Sequence, residues 1–199
     1  GVLQVRNNDA LGSATAGTGR SFTTVSSPAA IEFNGASALT IPEDIRINGT
    51  GFSEASAVNG ALRQVSGAYA TTLTGGITSS SASRIENDAT TSINISTTQI
   101  TNTALLTFLI STSGDINITT TINGAGGITK DLTGTGNLVL SADNSAVYTG
   151  VTTVSAGLVK VAHNNALGAT SGNTSITSGA TIQFSGNGLT IPEPITING

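Results

Sequence analysis

The sequence predicts an all-β fold of the solenoid class, in which one chain winds into a stack of short strands. Short runs of Ile, Val, Leu and Thr alternate with polar residues and are separated by Gly, Asn, Asp and Ser. Segments of the chain return about 150 residues later, and repetition of this kind indicates stacked repeats. Charged residues make up only 9% of the chain and hydrophobic residues 37%, a balance that favours a packed β core over disorder.

The composition also argues against several classes of function. The 199 residues carry 11 acidic and 7 basic side chains, so the chain has no basic patch for nucleic acid. There is no Cys and a single His, which disfavours disulfides and the usual zinc and haem sites. The longest apolar run, 104–110, is too short to span a membrane. We therefore expect no cofactor, no metal and no nucleic-acid partner.

Residues 1–49 recur as residues 157–199. The offset between the copies falls from 156 at the start to 150 at the end, so the first copy holds six extra residues, which we expect within 13–20. We interpret residues 1–199 as a single β-solenoid segment of a longer protein, made of one unit of about 150 residues and a partial second unit. In the best-preserved stretch only two of eleven positions differ, Asp44 and Arg46 in the first copy against Pro194 and Thr196 in the second.

Within this stretch the retained apolar positions are two residues apart, as on one face of a strand. Pro42 separates two such runs and marks a corner. The same criteria predict sixteen strands: Val2–Val5, Ala30–Phe33, Leu39–Ile41, Ile45–Ile47, Ala61–Val65, Thr71–Leu73, Thr91–Ile95, Leu105–Ile110, Asp115–Ile118, Gly127–Thr129, Asn137–Leu140, Thr152–Val154, Leu158–Val161, Thr174–Ile176, Thr181–Phe184 and Ile195–Ile197.

Residues 124–161 carry the most specific motif. A Gly-Gly-Ile-Thr-Lys opening is followed by an Asn-Leu-Val-Leu-Ser strand, a Tyr-Thr-Gly turn and a Thr-Thr-Val…Gly-Leu-Val-Lys-Val pair of strands. This stretch resembles the autotransporter-associated β-strand repeat, also called the passenger-associated transport repeat. The matching positions are Gly126, Gly127, Lys130, Gly136, Leu138, Leu140, Ser141, Asn144, Tyr148, Thr149, Gly150, Thr152, Val154, Gly157 and Val161.

The resemblance implies a right-handed, single-stranded parallel β-helix in the passenger of an adhesin exported by a type V route. It implies a location at the bacterial outer-membrane surface or outside the cell, and a non-catalytic role as stalk and export aid. We expect the partners to be adjacent repeats of the same chain, with host or matrix glycans or proteins engaged through other regions. Exposed strand edges at the ends of the stack also predict weak end-to-end self-association.

The alternative function is a carbohydrate-binding or polysaccharide-degrading β-helix. Glycoside hydrolysis needs two suitably spaced carboxyl groups, and the candidate pairs are Glu43 with Asp44 and Glu86 with Asp88. We interpret both pairs as hydrated turn residues, since exposed carboxylates are usually just solvated. His163 corresponds to Asn7 of the first copy, so the position does not require an imidazole.

The remaining polar and aromatic features are interpreted as structural. Gly124–Gly127 lacks the Gly-Lys-Ser/Thr ending of a phosphate-binding loop and the pattern of a calcium-binding repeat. Thr119–Thr121 does not recur at every rung, as an ice-binding ladder would. Tyr69 and Phe52 are interpreted as loop anchors or rung-end caps and not as sugar-binding platforms. The sequence therefore predicts no catalytic, cofactor-binding or metal-binding residue, and no enzyme.

Overall fold

The computed structural model describes residues 1–12, 22–54 and 57–199. This part of the chain is all-β and contains no helix, and its parallel strands stack into a β-helix. The predicted fold class is confirmed. The insertion expected within residues 13–20 lies outside the described residues.

The strands are short, most of them three to five residues long, because each spans one side of a narrow coil. Their bounds in chain order are β1 (Val2–Val5), β2 (Phe22–Ser26), β3 (Ala30–Phe33), β4 (Leu39–Ile41), β5 (Asp44–Asn48), β6 (Ser53–Glu54), β7 (Ala57–Val58), β8 (Leu62–Gln64), β9 (Thr71–Leu73), β10 (Ile77–Ser79), β11 (Ser83–Asn87), β12 (Ile93–Ile95), β13 (Ile100–Asn102), β14 (Leu106–Ile110), β15 (Ile116–Ile118), β16 (Ile122–Asn123), β17 (Ile128–Asp131), β18 (Asn137–Leu140), β19 (Thr152–Val154), β20 (Leu158–Val161), β21 (Thr174–Ile176), β22 (Thr181–Phe184) and β23 (Ile195–Ile197).

Three parallel sheets form the faces of the solenoid. Sheet A contains nine strands in the order β1-β3-β8-β11-β14-β17-β19-β21-β23, sheet B contains β2-β5-β10-β13-β16, and sheet C contains β4-β9-β12-β15-β18-β20-β22. The chain runs from sheet A to sheet C, then along the third side, and returns to sheet A one rung higher. Seven turns carry a strand in both sheet A and sheet C, and the rungs are about 4.8 Å apart.

The core lies inside the coil, where alternate residues of each strand point inward and stack on the equivalent residue of the next rung. Branched aliphatic side chains, mostly Ile, dominate these columns because they fill a narrow interior with few rotamers. One column of sheet A shows both the pattern and its exception: Leu3, Ile31, Leu62, Ile85, Phe108, Lys130, Val154, Ile176 and Ile197.

The third side of the coil changes along the stack. Sheet B ends at β16, and beyond it the segments 142–150, 163–172 and 187–194 occupy this side without forming named strands. A single parallel bridge between Gly124 and Tyr148 joins the last rung of sheet B to the first of these segments. Beyond this bridge, single backbone hydrogen bonds, such as that from the Ala169 N–H to the Tyr148 carbonyl at 2.8 Å, link the rungs on this side together with side chains.

The two copies of the repeat lie on different faces. Strand β1 of sheet A corresponds in sequence to β20 of sheet C, and β3 of sheet A corresponds to β22 of sheet C. In the same way β2 and β5 of sheet B correspond to β21 and β23 of sheet A. All four pairs are separated by six complete turns and one further side, so the unit is not a whole number of turns.

A hairpin interrupts the coil between β5 and β8. Strands β6 and β7 form the one antiparallel pair among the described residues. Beyond the hairpin, the backbone N–H of Gly60 donates to the Glu86 carboxylate at 3.0 Å. This insertion thereby contacts the outer surface of sheet A.

Each of the sixteen predicted strands overlaps an observed strand. The strands that the pattern did not predict are β2, β6, β7, β10, β11, β13 and β16. Four of these seven belong to sheet B, so the prediction of a solenoid was correct while one of its faces was largely missed.

Candidate functional site

Lys130, a residue of the predicted motif, points into the core of the solenoid and is 1% exposed. Strand β17 directs Ile128 and Lys130 to the same inner face. The register places Lys130 between Phe108 on the rung below and Val154 on the rung above. Its aliphatic stem thus takes the place of a core hydrophobe, while the ammonium group must find partners at the corner.

The Lys130 ammonium binds backbone carbonyls at the corner between sheets A and C. Nζ donates to the carbonyl oxygens of Asp131 at 2.8 Å and Leu132 at 2.7 Å, and to that of Ala156 at 3.4 Å. Leu132 has a positive φ of 67°, and a Cβ at Gly157 would lie 2.7 Å from Nζ. Burial lowers the pKa of Lys130 to about 8.

Asn144 and Tyr148, two further motif residues, link rungs on the side that has no strand. Asn144 is buried, its Oδ1 accepts from the N–H of Ile122 at 2.8 Å, and its Nδ2 donates to the carbonyl of Ala166 at 2.7 Å. The buried Tyr148 hydroxyl donates to the carbonyl of Val151 at 3.0 Å. The Asn144 contacts satisfy backbone groups that a sheet ladder would otherwise pair, whereas the Tyr148 contact fixes its ring at the corner before β19.

His163 has a local structural role. Its Nδ1 accepts from the N–H of Asn165 at 3.2 Å, and in the first copy the Asn7 Oδ1 accepts from the N–H of Asp9 at 3.1 Å. Both side chains therefore close the same turn by accepting from the residue two positions ahead. The sequence correspondence between His163 and Asn7 reflects this shared contact.

A second contact of this turn is retained in both copies. The Asn8 Oδ1 accepts from the N–H of Thr40 at 2.9 Å, and the Asn164 Oδ1 accepts from the N–H of Thr190 at 3.0 Å. The two contacts lie on different sides of the coil. The repeated turn therefore anchors the same repeated segment, which forms β4 in the first copy and no strand in the second.

The largest cluster of charge among the described residues lies on the outer face of sheet A, around Arg63. Arg63 Nη1 lies 3.1 Å from Glu32 Oε1, Nη2 lies 2.8 Å from Asp88 Oδ2, and Nε lies 3.3 Å from Glu86 Oε2. The interpretation of Glu86 as a hydrated turn residue is wrong, because it lies within β11 and is 5% exposed. Burial raises the pKa of Glu86, although Gly60 and Arg63 both act to lower it.

This cluster is organised for charge pairing. The register stacks Glu32, Arg63 and Glu86 on three successive rungs, so the guanidinium occupies the space between the two glutamates. A glycosidase needs that space for the sugar and water. Arg63 was not singled out in the sequence, because only the strand register reveals that it lies between acidic neighbours.

The carboxylates that follow the repeated prolines are also more buried than expected. Glu43 and Glu193 are each 4% exposed, so the interpretation of Glu43 as a hydrated turn residue is wrong. Glu193 Oε1 accepts from the Thr174 hydroxyl at 2.9 Å, and burial raises the pKa of Glu193 to about 7. Asp44 begins β5, and its Oδ1 accepts from the N–H of Gly76 at 2.7 Å.

A groove of about 350 Å³ runs across the outer face of sheet B. Arg46 stacks on an exposed aromatic ring, with Cζ 3.3 Å from the ring centre of Phe22. Gly76 lines the groove, and a Cβ there would be 3.4 Å from Asp44 Oδ1. We call this feature the sheet B groove and define it by Phe22, Asp44, Arg46, Gly76, Thr78, Gln99 and Thr101.

The other sequence candidates occupy corners and turns. A Cβ at Gly124 would lie 2.0 Å from the Asn102 carbonyl oxygen, so this glycine permits close approach of two rungs. Thr119–Thr121 lies between β15 and β16, at one corner of the coil. Tyr69 is 55% exposed in the turn after β8, and Phe52 is half-buried.

In the described part of the chain, no three His, Cys, Asp or Glu side chains are grouped so that they could hold a metal ion. Among these same residues there is also no helix long and apolar enough to cross a membrane. Comparison with known proteins returned no matching family model, curated protein or solved structure.

Proposed function

We propose that the chain is a non-catalytic stalk segment in the passenger of a secreted or surface-displayed, autotransporter-like adhesin. The observation that carries the proposal is the role of the motif residues. Lys130, Asn144 and Tyr148 are buried, and each binds backbone groups at a corner or between rungs. The polar groups of these three side chains are bound by the backbone, and residues of this kind maintain a continuous stack.

The duplication supports the same proposal. A unit that returns after six turns and one further side continues the stack without a break in the core. In a solenoid each rung contacts only its neighbours, so units can be added along the axis without redesign of the interior. Such an arrangement projects a distal region away from its point of attachment. The natural partners are then adjacent repeats of the same chain, in an extracellular or outer-membrane location.

Surface display tests the proposal directly. The chain would be placed between an N-terminal peptide tag and an outer-membrane translocator, and tag accessibility would be measured on intact Gram-negative cells. We expect Phe108→Asp, at a fully buried position of β14, to reduce display strongly. Thr107→Asp, one residue earlier on the outer face of the same strand, should display the tag like the wild type. Equal display by both variants would refute the stalk role.

The catalytic alternative has its own readout. The purified chain would be incubated with a panel of neutral and acidic polysaccharides, and new reducing ends or unsaturated ends would be measured. The stalk proposal predicts no release above that of the Arg63→Met variant, whose charge cluster is dismantled. Release by the wild type that this substitution abolishes would establish a polysaccharide-degrading enzyme instead.

A further inference from the structure

We propose that the sheet B groove is a binding site for a neutral, extended glycan. This goes beyond the stalk role, since a stalk requires no ligand on its outer faces. The groove crosses β2, β5, β10 and β13, so its length along the solenoid axis is about 14 Å. Its volume is at the lower end of the range of ligand sites, which suits a few sugar residues of a longer chain.

The lining offers the groups that recognise sugars. The Phe22 ring is 44% exposed, and one of its faces is covered by Arg46. An exposed aromatic surface packs against the apolar face of a sugar ring. Gln99 and Thr101 supply amide and hydroxyl groups that can both donate to and accept from sugar hydroxyls.

The charge of the groove favours a neutral ligand. Asp44 and Arg46 lie on the same strand and face, and their formal charges cancel. A polyanion would find a single cation, Arg46, and would be repelled by the neighbouring carboxylate of Asp44. This pair is therefore a poor partner for several phosphate or sulfate groups. A peptide strand adds to a free sheet edge, whereas three of the four strands that the groove crosses, β5, β10 and β13, have paired neighbours on both sides. A neutral polymer with many hydroxyl groups fits best.

The duplication indicates that the groove is specific to the first copy. Within the best-preserved eleven-residue stretch, the two positions that differ are Asp44 and Arg46, and both line the groove. Phe22 also has no aromatic counterpart, because residue 173 is Asn. The inward residues Ile45 and Ile47 are unchanged in the second copy. The copies therefore share their core but differ in the side chains that would contact a ligand.

Gly76 makes the groove accessible to a ligand. A Cβ on this residue would be 3.4 Å from Asp44 Oδ1 and 4.0 Å from Thr98 Oγ1, which is tolerable contact. A larger side chain at Gly76 would therefore fill the groove without a backbone clash. Gly76→Val is accordingly a steric block that leaves Phe22 and Arg46 in place.

The experiment uses the Cys-free chain as it is, labelled with ¹⁵N and titrated with neutral cello-, xylo- and manno-tetraose up to about 10 mM. Shifts of amide signals are followed by NMR. We expect at least one of these probes to shift the signals of Gly76, Thr78 and Gln99. No shift with any neutral probe, or shifts confined to another face, would overturn the proposal.

Three variants locate the site. Phe22→Asn with Arg46→Thr introduces the residues of the second copy, and Gly76→Val fills the groove; each should weaken binding at least about tenfold with an unchanged melting temperature. The matched control is Arg6→Ala, which also removes one arginine and introduces the residue of the second copy, but lies outside the groove. Retained binding by the first two variants would refute the site. Tighter binding of a tetrauronate than of the neutral probes would refute the ligand class.

Discussion

Replacement of Lys130 by methionine gives the sharpest test of how the motif stabilises the solenoid. Methionine keeps a long, flexible stem between Phe108 and Val154, so the core column should stay filled. The substitution removes the ammonium that binds the carbonyls of Asp131 and Leu132. It also removes a cation whose charged form is disfavoured by burial, and this second effect depends on pH.

The direction in which stability changes with pH follows from the pKa values of Lys130 in the folded and unfolded chain. Its pKa is about 8 in the folded chain and 10.5 as the reference value, so between these limits the unfolded state holds more protons. The free energy of unfolding therefore rises with pH across this window, and below pH 8 the penalty of burying the charge is constant. Each pKa unit corresponds to about 1.4 kcal/mol. From pH 8 to about pH 9.5 the free energy of unfolding can therefore rise by at most about 2 kcal/mol. Solvent screening of the ammonium at the corner reduces the expected rise to about 1 kcal/mol.

Urea unfolding at pH 8 and about pH 9.5 measures this rise. The highest pH of the experiment stays below the pKa near 10 of an unfolded tyrosine. Burial raises the pKa of Tyr148 in the folded chain, so above pH 10 the ionisation of this tyrosine would lower the free energy of unfolding and oppose the effect of Lys130. Wild type should gain stability over the window and Lys130→Met should not. Lys160→Met, on the outer face of β20, should retain the wild-type slope. Parallel curves for wild type and Lys130→Met would refute the reasoning.

Three further predictions test other parts of the structure. The wild type should lose stability between pH 4.5 and pH 7, because the Glu193 carboxyl keeps its proton up to a pKa of about 7 in the folded chain but ionises near 4.5 in the unfolded chain. Glu193→Gln should abolish this loss, and urea midpoints at the two pH values measure it. Arg63→Met should lower stability by about 2 kcal/mol at pH 7 and by less at pH 4, because burial raises the pKa of Glu86 and its protonation relieves the repulsion that the variant leaves behind; an equal loss at both pH values would contradict a charge-pairing role. Appending a second copy of residues 50–199 after Gly199 should extend the stack by about 30 Å, so spin labels at Thr78 and its copy should lie farther apart than about 30 Å, because the copy falls on the next face of the coil.

Most strands of sheet C and several of sheet A could be predicted from the sequence because they show two or more inward aliphatics in alternation, as in Ile116–Ile118 and Leu138–Leu140. Most of sheet B was not predicted because the inward positions of its strands mix aliphatic and polar residues. In β10 the second inner residue is the buried Ser79, and in β13 it is the buried Asn102, whose Nδ2 donates to the carbonyl of Gly126. In a sequence, such Ser and Asn residues look like the polar residues of turns. Only their contacts in the structure show that they belong to strands.

Charged side chains show a similar limit. Lys130 was identified by its place in the motif, but the motif does not say that a lysine replaces a core aliphatic. Glu86 was expected to be solvated, yet the insertion that ends at Gly60 covers it and donates a hydrogen bond. Burial of this kind depends on chain segments more than twenty residues away, so local composition does not contain it.

The rotation of the repeat follows from the interchangeability of the three faces. A segment that alternates inward and outward residues can lie on any side of a narrow coil, because each side requires only an aliphatic residue at alternate positions. Val25 of sheet B and its counterpart Ile176 of sheet A are both 3% exposed, so the core accepts the same segment on two faces. Selection for a continuous core therefore does not require a unit of whole turns. Outward side chains are carried to a new face in each copy, where they meet different neighbours, and a groove formed in one copy need not form in the next. The absence of Asp44 and Arg46 from the second copy is what this freedom predicts for positions that no longer line the same groove.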